Sequence, residues 1–166
     1  MFFCLVPCKH LRIIIMKVVI QRVDSSSVSV STEEIASINN GLLILWGVEI
    51  EDTIEDVNVL TEKILNLRIF SDEEGKMNKS VVDVGGSILL VSQFTLLGDA
   101  SKGNRPSFIK SENPDNAKLL LKSAAEKFSE KVQVQEGEFG AFMKVELIND
   151  GPVTILLEAK NGKLNF

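Results

Sequence analysis

The amino-acid sequence predicts an α+β domain: a mostly antiparallel, curved or barrel-like β-sheet with two main helices packed on one side. Three observations lead there. Short runs rich in valine, isoleucine and leucine recur along the chain and are separated by short polar turns. Only two segments carry the three-to-four-residue apolar period of a helix face. Two helices are too few for alternating strand-helix-strand units. The chain has 166 residues, 45% of them hydrophobic, which suits one domain with a substantial core.

Residues 1–15 read unlike the rest. Phe2 to Val6 is apolar, but Pro7, Lys9, His10 and Arg12 interrupt the run. It is too short to span a bilayer and lacks the basic start and small-residue cleavage site of a secretory signal. The reading is an N-terminal extension over 1–15 and one domain over 16–166, with no membrane segment and a cytoplasmic location. Cys4, Cys8 and His10 could be drawn as a metal site, but the spacing is non-standard and a fourth ligand is missing, so an ordinary tail is the simpler account. No metal and no cofactor is expected.

Met16 opens the first strand pattern, running to Val23, and Val28 to Ser31 is a second short strand. Asp24-Ser25-Ser26-Ser27 between them is a turn, or the exposed part of one longer strand. Gly41 to Val48 is a continuous apolar run bounded by glycine and reads as a buried strand. From Asp52 to Leu67 the period changes. Ile54, Val57, Leu60, Ile64 and Leu67 share one helix face, with Asp52 and Glu55 as a capping box. Asp72 to Gly75 is a turn, and Gly85-Gly86 suits a hairpin turn. Ser87 to Leu97 is a further apolar strand. Asn113-Pro114 starts the second helix, whose inner stripe is Ala117, Leu121, Ala124 and Phe128. Strands over 132–135, 143–148 and 153–158 complete the domain.

The available chemistry is narrow. The one histidine and both cysteines lie in the first ten residues, and there is no tyrosine. A Ser-His-Asp triad, a cysteine nucleophile and a histidine-based zinc site are therefore excluded from the body. No phosphate-binding glycine loop is present. The net charge of −5 disfavours broad coating of nucleic acid and leaves room for a small, local contact. Carboxylates, hydroxyls, amides and the backbone remain.

Three segments stand out. Ser92-Gln93-Phe94-Thr95 puts polar groups at the end of an apolar strand, as a functional rim or as a strand end with β-favouring Thr95. Asn149-Asp150-Gly151-Pro152-Val153-Thr154 contains the turn pair Asp-Gly, yet Pro152 cannot donate to a following ladder. A Gly-Pro bond also adopts the cis form at low cost. Lys102 to Lys110 is locally basic with one aromatic ring, fit for phosphates and a base or simply a solvated loop.

At these residues the sequence resembles the D-aminoacyl-tRNA deacylase family, also called D-tyrosyl-tRNA deacylases. Ser92-Gln93-Phe94-Thr95 is similar to that family's first signature, and Asn149 to Thr154 to its second. Gln21-Arg22-Val23, Arg68 to Asp72 with Gly75 to Asn78, and Arg105-Pro106-Ser107-Phe108 add support. The resemblance runs from Met16 to about Glu158. It implies an editing hydrolase that cuts the ester between a D-amino acid and the 3′-terminal adenosine of tRNA. It also implies a homodimer with its active site at the subunit interface.

Carried over residue by residue, Ser92, Gln93, Phe94 and Thr95 form the catalytic motif. Gly151 and Pro152, joined by a cis bond and reaching into the partner's pocket, form a backbone filter that leaves no room for an L side chain. Arg22 holds that loop, and Met143 lines the terminal-adenosine pocket. Glycine, which has no side chain, is expected to pass the filter. Thr95 is a candidate nucleophile, but a threonine hydroxyl needs an adjacent base. A positioning role for Thr95 and Gln93 is preferred, with the ribose 2′-hydroxyl assisting the water. Phe94 and Val153 fit this pattern better than that of a related deacylase acting on L-alanine. A DNA-binding module is the non-enzymatic alternative.

Overall fold

The computed structural model describes residues 15–165. Cys4, Cys8 and His10, and nearly all of the expected extension, lie outside them. In chain order the elements are β1 (Met16–Val30), β2 (Glu33–Ile38), β3 (Gly41–Gly47), α1 (Ile54–Leu65), β4 (Phe70–Ser71), β5 (Met77–Lys79) and β6 (Ser87–Ser92). A 3-10 turn (Phe94–Leu97), α2 (Pro114–Ser129), β7 (Gln133–Glu136), β8 (Met143–Lys160) and β9 (Lys163–Asn165) follow.

The main sheet runs β7-β6-β3-β1-β8-β9, with β2 also paired to β1. β1 and β8 are 15 and 18 residues long and pair over most of their length, so the sheet curls into a half-barrel. β2, β3, β8 and β9 make antiparallel ladders, but β6 runs parallel to both β3 and β7. The sheet is therefore mixed. Parallel neighbours need a crossover, and α1 and α2 supply the two crossovers. Few as they are, both helices serve as strand-helix-strand connections, which the sequence pattern argued against.

The apolar run of β3 is buried on both faces, which explains its lack of alternation. Leu42, Ile44 and Trp46 join the core under α1 and α2, where Trp46 meets Phe128 edge-on with ring centres 6.2 Å apart. Leu43 joins Val23, Val28, Ala36, Ile38, Leu89 and Val91 on the opposite face, inside the curl.

Several local expectations change. Of the two readings of residues 24–27 the longer strand holds, since β1 continues through them, although Ser26 is buried rather than exposed. The helix cap is Thr53 with Asp56, not Asp52 with Glu55: the Thr53 N–H and hydroxyl donate to Asp56 Oδ2 at 2.9 and 3.0 Å. Ile54, placed on the inner stripe, is largely exposed because it sits in the first turn. The strand expected to reach Leu97 stops at Ser92. Gly85 closes a turn, but the strands flanking it do not pair, so it is not a hairpin. α2 starts as expected, with Asn113 Oδ1 accepting from Asn116 N at 3.0 Å. No helix among the described residues is long and apolar enough to cross a membrane.

Freed from the cap, Asp52 is buried between the β3–α1 loop and the C-terminal hairpin. Its Oδ2 accepts from Glu49 N at 2.7 Å, and Lys160 Nζ lies 3.4 Å from Oδ1. Burial pushes its carboxyl up to about 7, outweighing the bond from Glu49 and the charge of Lys160. Below about pH 4 both folded and unfolded chains hold the proton; between about 4 and 7 only the folded chain does, so rising pH favours unfolding. The loss is complete near pH 7 and amounts to something on the order of 4 kcal/mol. Denaturant melts across that window should show this decline for the wild type, and a flatter profile for Asp52→Asn; parallel profiles would remove Asp52 as the cause.

Candidate active site

The end of β6 builds one half of the site. Ser92 completes the ladder with β3, and Gln93 N donates to Trp46 O at 2.8 Å. The chain then turns into the 3-10 segment, anchored by buried Leu97. This leaves Ser92, Gln93, Phe94 and Thr95 on the rim, with Phe94 57% exposed. The Gln93 side chain does not cap the turn; its amide donates to the Thr95 hydroxyl. The N–H groups of Phe94 and Thr95, first in the turn, are thus not taken up by that side chain.

Phe94 packs edge-on against Phe108, ring centres 5.1 Å apart at 72°. Phe108 is presented by a loop closed at its base by Asp99 and Ser107, which exchange backbone bonds of 2.8 and 2.9 Å. Met143 arrives from the start of β8. A Cβ at Gly137 would stand 2.8 Å from Met143 Sδ and 3.6 Å from Val91 Cγ2, so the missing side chain at 137 makes room for Met143 beside the last residues of β6. Ser92, Gln93, Phe94 and Thr95 form one group, and Met143 lies beside Val91, the residue that precedes them.

Arg22, Gly151 and Pro152 form a second. The hairpin expected at 149–154 is absent: β8 continues through it, and both halves pair with β1. Gln21 faces Thr154 and Val23 faces Asn149, so four residues of β8 stand opposite Arg22 alone. The excess bulges outward, with Gly151 and Pro152 exposed and joined by a cis bond. Asn149 closes the bulge from within: its Oδ1 accepts from Val153 N at 2.7 Å and its Nδ2 donates to Val153 O at 3.2 Å. Gln21 and Asn149 both donate to the Thr154 hydroxyl at 3.3 Å.

Arg22 holds the bulge from below. It is buried, pairs through Nε with Asp150 Oδ2 at 2.8 Å, reaches Asp150 O at 3.1 Å, and donates through Nη1 to Ile69 O. Its guanidinium lies 6.0 Å from the centre of the Phe70 ring. Charge-assisted bonds of this kind fix orientation as well as adding energy. Asp150, the only carboxylate in either motif, is committed to this pair.

Among the described residues no hydrogen bond, ion pair or ring contact joins the two groups. Ser92 lies in the row of Trp46 and Val18, while the bulge lies opposite Arg22, four residues further along β1 and across β6, β3, β1 and β8. Sequence reasoning singled out the members of both groups. It missed the bracing by Asn149, Gln21 and Thr154, and the contact of Phe108 with Phe94. Asn149 and Thr154 belong to the second motif, so their presence was visible and their bonds were not. Among the described residues no cluster of three or more His, Cys, Asp or Glu could hold a metal ion.

The site thus offers hydroxyls, a side-chain amide and N–H groups at one rim, and a braced, exposed backbone step elsewhere. Residues 19–158 match the family model described as D-Tyr-tRNA(Tyr) deacylase. A D-aminoacyl-tRNA deacylase of Geobacillus sp. (strain WCH70) is 51% identical over 87% of this chain and 96% of that protein. One of Fusobacterium nucleatum is 54% identical over 90% of this chain and 99% of its own length. Among solved structures, the c-Myc DNA Unwinding Element Binding Protein is 42% identical with a TM-score of 0.82, covering 87% of this chain and 99% of that one. A probable eukaryotic D-amino acid tRNA deacylase shares the fold at 16% identity and a TM-score of 0.75, over 87% of this chain and all of that one. With the model matching nearly the whole body and relatives sharing half of its residues, the chain belongs to the D-aminoacyl-tRNA deacylase family.

Proposed function

We propose that this chain hydrolyses the ester joining a D-amino acid to the 3′-terminal adenosine of a tRNA. It does so as a homodimer, in which the Gly151–Pro152 step of one subunit enters the Gln93–Thr95 site of the other. The observation that carries the reading is the Gly-Pro step, braced by Asn149 and Arg22 yet facing outward, with no bond to the Ser92–Thr95 group of its own chain. Leu147 and Leu156 on the same strand are 37% and 56% exposed, apolar positions suited to a second copy.

In this arrangement the Gly151–Pro152 backbone stands where an L side chain would project from the α-carbon. A D side chain points away, and glycine has none, so both are accepted. Met143 supports the adenosine.

Water attacks the ester carbonyl, and the N–H groups of Phe94 and Thr95 receive the developing oxyanion, each such donor typically contributing about 2.7–4 kcal/mol. The bond to the ribose oxygen breaks, that oxygen takes a proton relayed through the 2′-hydroxyl, and free amino acid and tRNA leave. Thr95 acts by position: its hydroxyl accepts from the Gln93 amide, and among the described residues no carboxylate hydrogen-bonds to it.

Deacylation of matched D- and L-aminoacyl-tRNA tests the reading. Fast D and glycyl turnover with L esters left intact is expected; comparable D and L rates would sink it. A DNA-binding role, suggested by likeness to the c-Myc DNA Unwinding Element Binding Protein, sits poorly with a net charge of −5.

A further inference from the structure

Resting on the deacylase reading, we propose that the loop between Asp99 and Ser107 is a docking arm for the phosphates of the single-stranded 3′ end of the tRNA, just upstream of the esterified adenosine. Residues 100–106 are exposed without interruption, and a Cβ at Gly103 would meet nothing within 4 Å, so the tip stands clear of the fold. The base is fixed by the paired Asp99 and Ser107 backbone bonds, and Ser101 N donates to Asp99 Oδ1 at 2.9 Å. Among the described residues neither Lys102 nor Arg105 forms an ion pair. In a chain of net charge −5, residues 99–110 carry Lys102, Arg105 and Lys110 against Asp99, a local balance of +2 (three minus one). Lys110 is partly engaged by Glu49 at 3.9 Å, which leaves Lys102 and Arg105 as the cations the loop can offer.

Position decides the partner. The loop leaves the 3-10 turn through Gly98 and returns through Phe108, which packs on Phe94 at the rim. Three residues on each side of the tip reach at most about 10 Å, so the arm serves only the first phosphates upstream of the site. An adenosine seated against the rim brings those phosphates past Lys102 and Arg105. The contact is sequence-independent and small, in keeping with an acidic protein that touches RNA only near its end.

The test compares wild type with the double variant Lys102→Ala/Arg105→Ala on two substrates: D-aminoacyl-tRNA and a D-aminoacyl ester of adenosine alone. On tRNA the variant should show a KM about tenfold higher with kcat unchanged. The slope of log(kcat/KM) against log salt should become shallower by about 1.4, two single-strand phosphates at about 0.7 each. On the adenosine ester the two proteins should match. An unchanged KM and salt slope on tRNA would overturn the proposal. So would an equal loss on both substrates, which would mean that the loop only props the Phe94–Phe108 wall. Absence of D-selective turnover by the wild type would remove the deacylase reading and this proposal with it, and because it is read on the unaltered chain it cannot be confused with failure of the arm.

Discussion

A D-aminoacyl-tRNA that carries the amino acid on the 3′ oxygen but lacks the 2′-hydroxyl is expected to be cleaved about 10²–10⁴-fold more slowly than the natural ester, the range that a positioned proton-transfer group supplies. The expectation rests on what stands at the rim. The single histidine of the chain is His10, far from the motif in sequence and outside the described residues. Asp150 is engaged by Arg22, through its carboxylate and its backbone carbonyl alike. Thr95 itself accepts a bond from the Gln93 amide. What the side chains lack, the substrate supplies: a hydroxyl next to the scissile bond. The measurement is single-turnover deacylation of the two esters, with the deoxy substrate also used as a competitor. It should compete as well as the natural ester while turning over slowly, which separates chemistry from binding. Equal turnover would assign the proton transfer to the protein and return Thr95 to the place of nucleophile.

The sequence was most legible where one residue type has one physical use. Asn113-Pro114 joins a capping side chain to a proline at the favoured first helical position, and the even burial of Gly41 to Val48 follows from a strand covered on both faces. It was least legible where a partner far along the chain decides. Asp52 looks like a cap, and does not cap, because Glu49 N and Lys160, 108 residues away, claim its carboxylate. Asp150-Gly151 has the composition of a hairpin turn and is none, because β1 pairs with β8 on both sides of it. The direction of β6 was equally hidden, since a strand's own residues do not say whether its neighbour runs parallel. The site followed the same rule: both motifs were visible as strings of residues, while Arg22 bracing Asp150 across 128 positions, and the rows on which the two groups stand, exist only in the folded sheet.

Gly151→Ala is expected to lower D-ester kcat/KM by about 10²-fold, the loss that misplacement of about 1 Å brings to a positioned site, and to collapse the D-to-L ratio. Gly151 has φ +137°, and an added Cβ would lie 2.7 Å from Val153 Cγ2, 2.9 Å from Val153 N and 3.2 Å from Arg22 Nη2. The neighbours are a backbone nitrogen and a buried, bonded guanidinium, so the bulge itself has to move. Such backbone strain costs about 1–3 kcal/mol, which a domain of this size registers as a few degrees in Tm. Gly75→Ala is the control: its φ of +77° brings similar strain, but a Cβ there meets nothing within 4 Å, so selectivity should survive. The pair Gly151→Ala and Gln93→Ala then tells which subunit reads handedness. Each variant alone is expected to be nearly inactive. In a purified heterodimer of the two, a filter lent by the neighbour leaves one of the two sites with both its Gln93 and its opposing Gly151 intact, so about half of wild-type turnover returns. A filter acting within its own chain leaves each site with one defect, and no activity comes back. Recovery of D-selective turnover in the mixture is therefore the result that only an exchanged Gly-Pro step can give.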